Sequence, residues 1–253
     1  MTSPHVLAVA NQKGGVAKTT TVASLGAALA EQGQKVLLVD LDPQACLTFS
    51  LGIDPEDLDV SIHHVLTKGL DPSEAIIETD DGVDLLPATI ELARAEADLL
   101  TRTGREYVIR TAVEDTEGYD WVLLDCPPSL GVLTVAALTA ATGVLIPLQC
   151  ETLSHRGVGQ LLDTVHDVKR FTNRELEVWG VLPTLYDGRT NHARAVLETI
   201  SETYDLDVIE PPIPKSIRFA EAPAAGRSIL KTSRSNKGAQ AYRDVATGLM
   251  NRA

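Results

Sequence analysis

Asn11-Gln12-Lys13-Gly14-Gly15-Val16-Ala17-Lys18-Thr19-Thr20 is the stretch whose reading decides the fold. It follows the apolar run Val6-Leu7-Ala8-Val9-Ala10 and precedes an amphipathic segment over residues 21–32. A strand, a glycine-containing loop and a helix opening with Lys and Thr form the context a phosphate-binding loop needs. Backbone N–H groups in such a loop point inward, and the helix N-terminus adds partial positive charge, so a polyphosphate is held there. Lys18 is placed to reach the outer phosphates, and Thr19 to offer a hydroxyl to a magnesium ion. The stretch departs from the strict G-x-x-x-x-G-K-[ST] pattern. Gln12 and Ala17 stand at its two glycine positions, and a second lysine, Lys13, sits beside Gly14-Gly15.

Two further segments point to the same edge of a sheet. Val36-Leu37-Leu38-Val39 ends in Asp40-Leu41-Asp42-Pro43-Gln44, and Trp121-Val122-Leu123-Leu124 ends in Asp125-Cys126-Pro127-Pro128-Ser129. Short apolar runs bounded by turn formers read as buried strands of a parallel sheet. Ligands of open α/β sheets bind beyond the carboxyl ends of such strands. A bare Gly-Gly turn with incidental lysines explains the loop but not the two strand-end aspartates.

The rest of the 253 residues fits one α/β domain. Strands are expected at 6–10, 35–39, 83–86, 121–124, 144–148, 178–185 and 208–209. Between them lie helices from Lys18 (Val22, Leu25, Gly26 and Leu29 on one face, stopped by Gly33), then at 90–100, 107–114, 132–140, 154–171, 193–204 and 238–250. Short helices at 61–66 and 72–77 fall in an acidic stretch. Alternation of this kind predicts a doubly wound, mainly parallel sheet with helices on both faces; together with the loop at 11–20 it reads as a P-loop NTPase arrangement. Cys46, Cys126 and Cys150 form neither a zinc pattern nor a disulfide framework. No secretory signal or membrane span is read, so a cytoplasmic home is expected. The net charge of −13 argues against strong constitutive DNA binding, but leaves room for a local basic patch.

Read as K-G-G-x-x-K-T-T, residues 13–20 are the deviant Walker A motif, and the chain resembles the ParA/MinD family of ATPases, within it the ParA-type partition ATPases. The likeness extends through D-L-D-P-Q (40–44), D-C-P-P-S (125–129), Tyr186-Asp187-Gly188-Arg189-Thr190-Asn191 and Ile213-Pro214-Lys215-Ser216-Ile217-Arg218. It implies ATP and Mg²⁺ as cofactors, slow ATP hydrolysis, an ATP-dependent homodimer, non-specific DNA and a ParB-like partner that stimulates turnover. No membrane partner is expected, and the location becomes nucleoid-associated. By matched position, Gln12, Lys13, Gly14, Gly15, Val16, Ala17, Lys18, Thr19 and Thr20 bind nucleotide, with Pro214 near the adenine. Lys18 neutralises the β and γ phosphates, and Lys13 reaches the other protomer's nucleotide. Asp42 positions the attacking water. Thr19, Asp40, Asp42 and Asp125 support the metal, the aspartates through water. Arg189, Lys215 and Arg218 match DNA-contacting positions, although Arg189 could simply pair with Asp187. Ala17 replaces the family's usual Gly, which costs stability or affinity if that position is left-handed.

Two other classes share this fold. A MinD-like membrane-cycling ATPase needs a basic amphipathic C-terminal helix, whereas residues 239–253 read as a closing helix of the fold. A metabolic or redox enzyme on the same fold would need paired cysteines or a second-substrate motif, and neither is seen.

Overall fold

Runs of Val, Leu and Ile without polar alternation build strands that are covered on both faces. The structure, a computed structural model, describes residues 3–151 and 154–252. The chain opens with β1 (His5–Val9), α1 (Lys18–Glu31) and β2 (Val36–Asp40). Short helices α2 (Cys46–Ser50) and α3 (Ile62–Lys68) lead to β3 (Ile77–Glu78) and β4 (Asp84–Leu86). Then come α4 (Leu92–Leu99), α5 (Val108–Glu114), β5 (Trp121–Asp125), α6 (Val132–Ala140), β6 (Gly143–Gln149) and α7 (Ser154–Phe171). β7 (Glu177–Thr184) and α8 (Asn191–Tyr204) precede α9 (Arg218–Glu221), α10 (Ile229–Thr232) and α11 (Lys237–Met250). The seven strands lie in the order β3-β4-β2-β5-β1-β6-β7. All neighbours are parallel except β3 and β4. This is the doubly wound sheet that the alternation of elements predicts.

Period-two alternation along the strands feeds two cores. Val6, Ala8, Leu37, Val39, Val122 and Leu124 face one core, with side chains of α3 to α8. Leu7, Val9, Val36, Leu38, Trp121 and Leu123 face the other, with α1, α10 and α11. Trp121 and Trp179 are buried core residues, edge-to-face with ring centres 5.9 Å apart. The apolar face of α11 (Ala239, Tyr242, Val245, Ala246, Leu249) is buried in this second core, and the Tyr242 hydroxyl lies 3.0 Å from that of Thr21 on α1. The C-terminal segment therefore closes the fold. Among the described residues, no helix is long and apolar enough to cross a membrane.

The differences from expectation are local. Instead of a helix over 72–77, Asp71 accepts the Ser73 N–H at 2.9 Å and caps one 3-10 turn, Pro72–Glu74. Ile77 and Glu78 then pair antiparallel with Leu85 and Asp84 as an edge strand. Residues 208–209 form only an isolated bridge, Val208 to Val181. Helices α2, α9 and α10 are one turn long, too short for any periodic signal. One close approach fastens distant loops: a Cβ on Gly226 would lie 2.7 Å from the Gly52 Cα, so the two backbones touch where no side chain fits.

Two glycines of opposite environment test this packing. A Cβ at Gly143 would collide with the rigid Trp179 indole, whereas Gly248 is exposed on α11 with nothing near. Gly143→Ala is expected to destabilise by roughly 1–3 kcal/mol, and Gly248→Ala to stabilise by about 0.5–1 kcal/mol. Urea denaturation reads both, and midpoints that move in the same direction would refute the assignment.

Candidate active site

The phosphate-binding loop is pinned from both sides. Asn11 is buried, its Nδ2 donates to the Pro147 carbonyl at 2.8 Å, and its Oδ1 accepts the Lys13 N–H at 3.0 Å. The Thr184 hydroxyl donates to the Val16 carbonyl at 2.9 Å, while the Val16 side chain enters the core. Gly15 has φ +74° and Ala17 φ +65°, ψ 35°. Ala17 thus occupies the left-handed region that glycine favours. The Thr21 N–H donates to Ala17 O at 2.9 Å, which leaves Lys18, Thr19 and Thr20 at the open N-terminal turn of α1. Lys18 is buried, with Nζ 3.3 Å from the Lys13 carbonyl oxygen. Burial lowers its pKa, opposed chiefly by Asp125.

The two strand-end aspartates are register partners on β2 and β5. Asp40 is fully buried, and desolvation pushes its pKa up to about 6 against the pull of its hydrogen bonds. Its Oδ2 accepts the Thr48 N–H at 2.9 Å and hydroxyl at 2.8 Å, and its Oδ1 accepts the Asp42 N–H at 3.1 Å. Asp40 thereby sets the position of Asp42, whose own Oδ1 accepts the Gln44 N–H at 2.9 Å. Asp125 differs: both its oxygens are buried and meet no well-placed hydrogen-bond donor among the described residues. The nearby Thr19 hydroxyl and Lys18 ammonium favour its charged form, though neither is placed to make a full hydrogen bond to it. Burial, and then Asp40, raise its pKa well above the usual carboxylate range. A buried carboxylate with no well-placed donor among the described residues, beside an ammonium and the Thr19 hydroxyl at a helix N-terminus, fits a hydrated divalent cation with polyphosphate.

These groups border an open cleft of about 880 Å³ lined by Gly14, Gly15, Ala17, Lys18, Thr19, Thr20 and Asp42. Its other wall is Lys215, Ser216, Ile217, Phe219 and Ala220, completed by Cys46, Ser50, Pro128 and Leu185. Only Lys215 of that second group is anticipated in the sequence as a site residue. Ile217, 71% exposed, is an apolar side chain offered to the cleft. Pro214 lies one residue away, lining a separate depression with Tyr186 and Pro211. Gln12 and Lys13 are likewise not among the cleft-lining residues, and the Lys13 Nζ sits 2.5 Å from Glu151 Oε2. Arg189 makes a two-pronged contact with Asp187 at 2.8 and 2.7 Å, and Arg218 pairs with Glu221 at 2.6 Å.

A parallel sheet, a pinned loop after its central strand and two in-register aspartates define a P-loop NTPase fold of the deviant Walker A type. Residues 4–178 match a family described as an AAA domain (AAA_31). The chain is 42% identical to the sporulation initiation inhibitor protein Soj of Bacillus subtilis, covering 95% of this chain and 96% of that one. It is 44% identical to the chromosome-partitioning ATPase Soj of Thermus thermophilus, covering 97% and 95%. A solved Mycobacterium smegmatis structure, described as cobyrinic acid a,c-diamide synthase with bound ATP analogue and magnesium, is 56% identical with TM-score 0.89, covering 98% of this chain and 95% of that one. The chain belongs to the ParA/Soj family of partition ATPases.

Two expectations follow from the geometry. Ala17→Gly removes a left-handed Cβ and is expected to stabilise by about 1 kcal/mol; a lower urea midpoint would refute the strain. For Asp40, the folded pKa lies above the unfolded one, so the stability it lends is full below the unfolded pKa and is lost as pH rises towards about 6. A cation on this edge needs the carboxylates ionised. The melting shift given by Mg²⁺ with ATP should therefore be about twofold or more larger at pH ~7.5 than at pH ~5.5. An equal shift at both would remove the aspartates from the binding equilibrium.

Proposed function

We propose that this chain is an ATP-switched homodimer that attaches to non-specific DNA and positions a chromosome, plasmid or other cargo. A ParB-like partner stimulates its slow hydrolysis and releases it from the nucleoid. The observation that carries this reading is the double use of one segment. Residues 215–220 wall the cleft at the phosphate-binding loop, and they also bring Lys215 and Arg218 to the surface. The charge balance agrees. Residues 211–253 hold eight Lys and Arg against two acidic residues, Glu221 and Asp244, in a chain of net charge −13. Such a patch attracts phosphate backbones locally although the molecule is acidic overall.

In this reading Lys18 and the N–H groups of the first turn of α1 hold the β and γ phosphates, and Thr20 holds the α phosphate. Thr19, with Asp40 and Asp125 through water, would hold Mg²⁺, which neutralises phosphate charge as it develops. Asp42, set in place by Asp40, orients the attacking water. Gln12, Gly14, Gly15, Val16 and Ala17 supply the loop backbone, and Pro214 with the 215–217 wall lies toward the base. Lys13 exchanges Glu151 for the partner protomer's nucleotide, so ATP binding and dimerisation favour each other.

The diamide synthase description of the M. smegmatis relative supports a second reading, an ATP-dependent ligase on the same cleft. The two separate by product. A ligase yields an amidated or phosphorylated small molecule, whereas the switch yields only ADP and phosphate in amounts that rise with DNA and partner.

DNA co-sedimentation tests the preferred reading. Wild type should pellet with DNA in ATP but not ADP, less at higher salt, and Lys13→Ala should not pellet. Arg218→Glu should weaken retention by about tenfold or more, since it replaces a phosphate-neutralising charge with a repelling one, and should flatten the salt dependence by about one. Glu221→Gln frees Arg218 from its carboxylate and should strengthen retention a few-fold. Retention unchanged in both variants would remove Arg218 from the interface.

A further inference from the structure

A second cavity, of about 640 Å³, shares no lining residue with the nucleotide cleft. It lies between α3, the turn at 69–72 and α5. Val65, Leu66 and Ala112 line it as buried apolar residues, and Tyr107, 40% exposed, stands at its wall beside Val108. A pocket of this size, of the order of 300–1,000 Å³, accommodates anchored side chains.

Its charge is one-sided. Asp71, Glu114, Asp115 and Glu117 line it. The single opposing cation in the lining, Arg102, donates to the Leu66 backbone carbonyl. Asp71 is occupied as the cap of the Pro72–Glu74 turn. Glu114, Asp115 and Glu117 are exposed, and no ion pair engages them among the described residues. Glu114 ends α5 and Asp115 is its C-cap, where the helix macrodipole already places negative charge. Carboxylates there oppose the dipole and one another, and a cation supplied from outside relieves both. The described residues hold no cluster with the geometry of a metal site. Arg110 already lies over the Tyr107 ring, 5.7 Å from its centre, and donates to the Thr139 carbonyl; the carboxylate rim beside that ring instead fits a further guanidinium or ammonium on a flexible stem.

We propose that this cavity docks a Lys- or Arg-bearing peptide segment of a partner protein. The cationic side chain lies over Glu114, Asp115 and Glu117, and a neighbouring apolar side chain lies against Tyr107 and Leu66. The site involves neither nucleotide nor DNA, so it stands or falls independently of the DNA reading.

The test is fluorescence anisotropy with a labelled twelve-residue peptide alternating Leu with Lys and Arg, and with its Glu-substituted counterpart. Three proteins are compared: wild type, the cavity variant E114Q/D115N/E117Q, and a control, E198Q/E202Q/E210Q, that removes the same number of exposed charges elsewhere. The basic peptide should bind wild type and control within about twofold of each other, and the cavity variant about tenfold or more weakly. Tyr107→Ala should weaken binding a few-fold with the carboxylates intact. Equal weakening in both triple variants means diffuse attraction to an acidic protein and overturns the proposal. So does no binding to wild type, or equal binding of the Glu-substituted peptide.

Discussion

Two carboxylates end neighbouring parallel strands in register, and both are out of water. Asp40 and Asp125 could not share that edge as bare charges, since burial and mutual repulsion each favour the neutral acid. The protein resolves the conflict unequally. Asp40 is answered from within by Thr48 and the Asp42 backbone, and the Thr48 hydroxyl also accepts the Ala88 N–H at 3.0 Å. One carboxylate thereby organises the turn after β2, the placement of α2 and the segment after β4. Asp125 is left without a well-placed donor among the described residues, beside Lys18 and Thr19. The same constraint explains how Lys18 tolerates burial: the ammonium and the acid edge make each other affordable.

Features carried by long or chemically narrow signals were legible in the sequence. The phosphate-binding loop, the two aspartate strands and the parallel sheet are written in apolar runs that end in turn formers. The left-handed backbone at Ala17 was foreseeable because a family glycine position is occupied by alanine. What escaped was non-local or short. α2 depends on Asp40 holding Thr48, a contact that no periodicity records. The Ile217, Phe219 and Ala220 wall comes from a segment 200 residues downstream of the loop, and a one-turn helix such as α9 leaves no pattern. The helix expected at 72–77 failed because Asp71 and Pro72 build a turn, after which the ladder to β4 claims Ile77 and Glu78.

Charge is sorted along this chain rather than balanced along it. The cationic residues concentrate after position 210, and the acidic excess lies before it. Several arginines also carry their own carboxylate close by: Arg189 has Asp187, Arg218 has Glu221 and Arg227 has Asp80. Exposed pairs of this kind are worth little in stability, about 0–1 kcal/mol. Such a carboxylate also competes with any polyanion that approaches the arginine. At the other extreme, Glu114, Asp115 and Glu117 form no ion pair among the described residues, a local surplus in the opposite sense.

The Gly52–Gly226 contact has a consequence for how such chains diverge. Each glycine leaves the space that the other's backbone fills, one following α2 and the other following α9. A substitution at either site is therefore not an independent event, because it is tolerated only if the opposite loop retreats. Among relatives the two positions should change as a pair, through a length change in one loop, or not at all. Residues 174 apart thus behave as one heritable character, and a chimera that joins the first half of one relative to the second half of another would meet its sharpest incompatibility there.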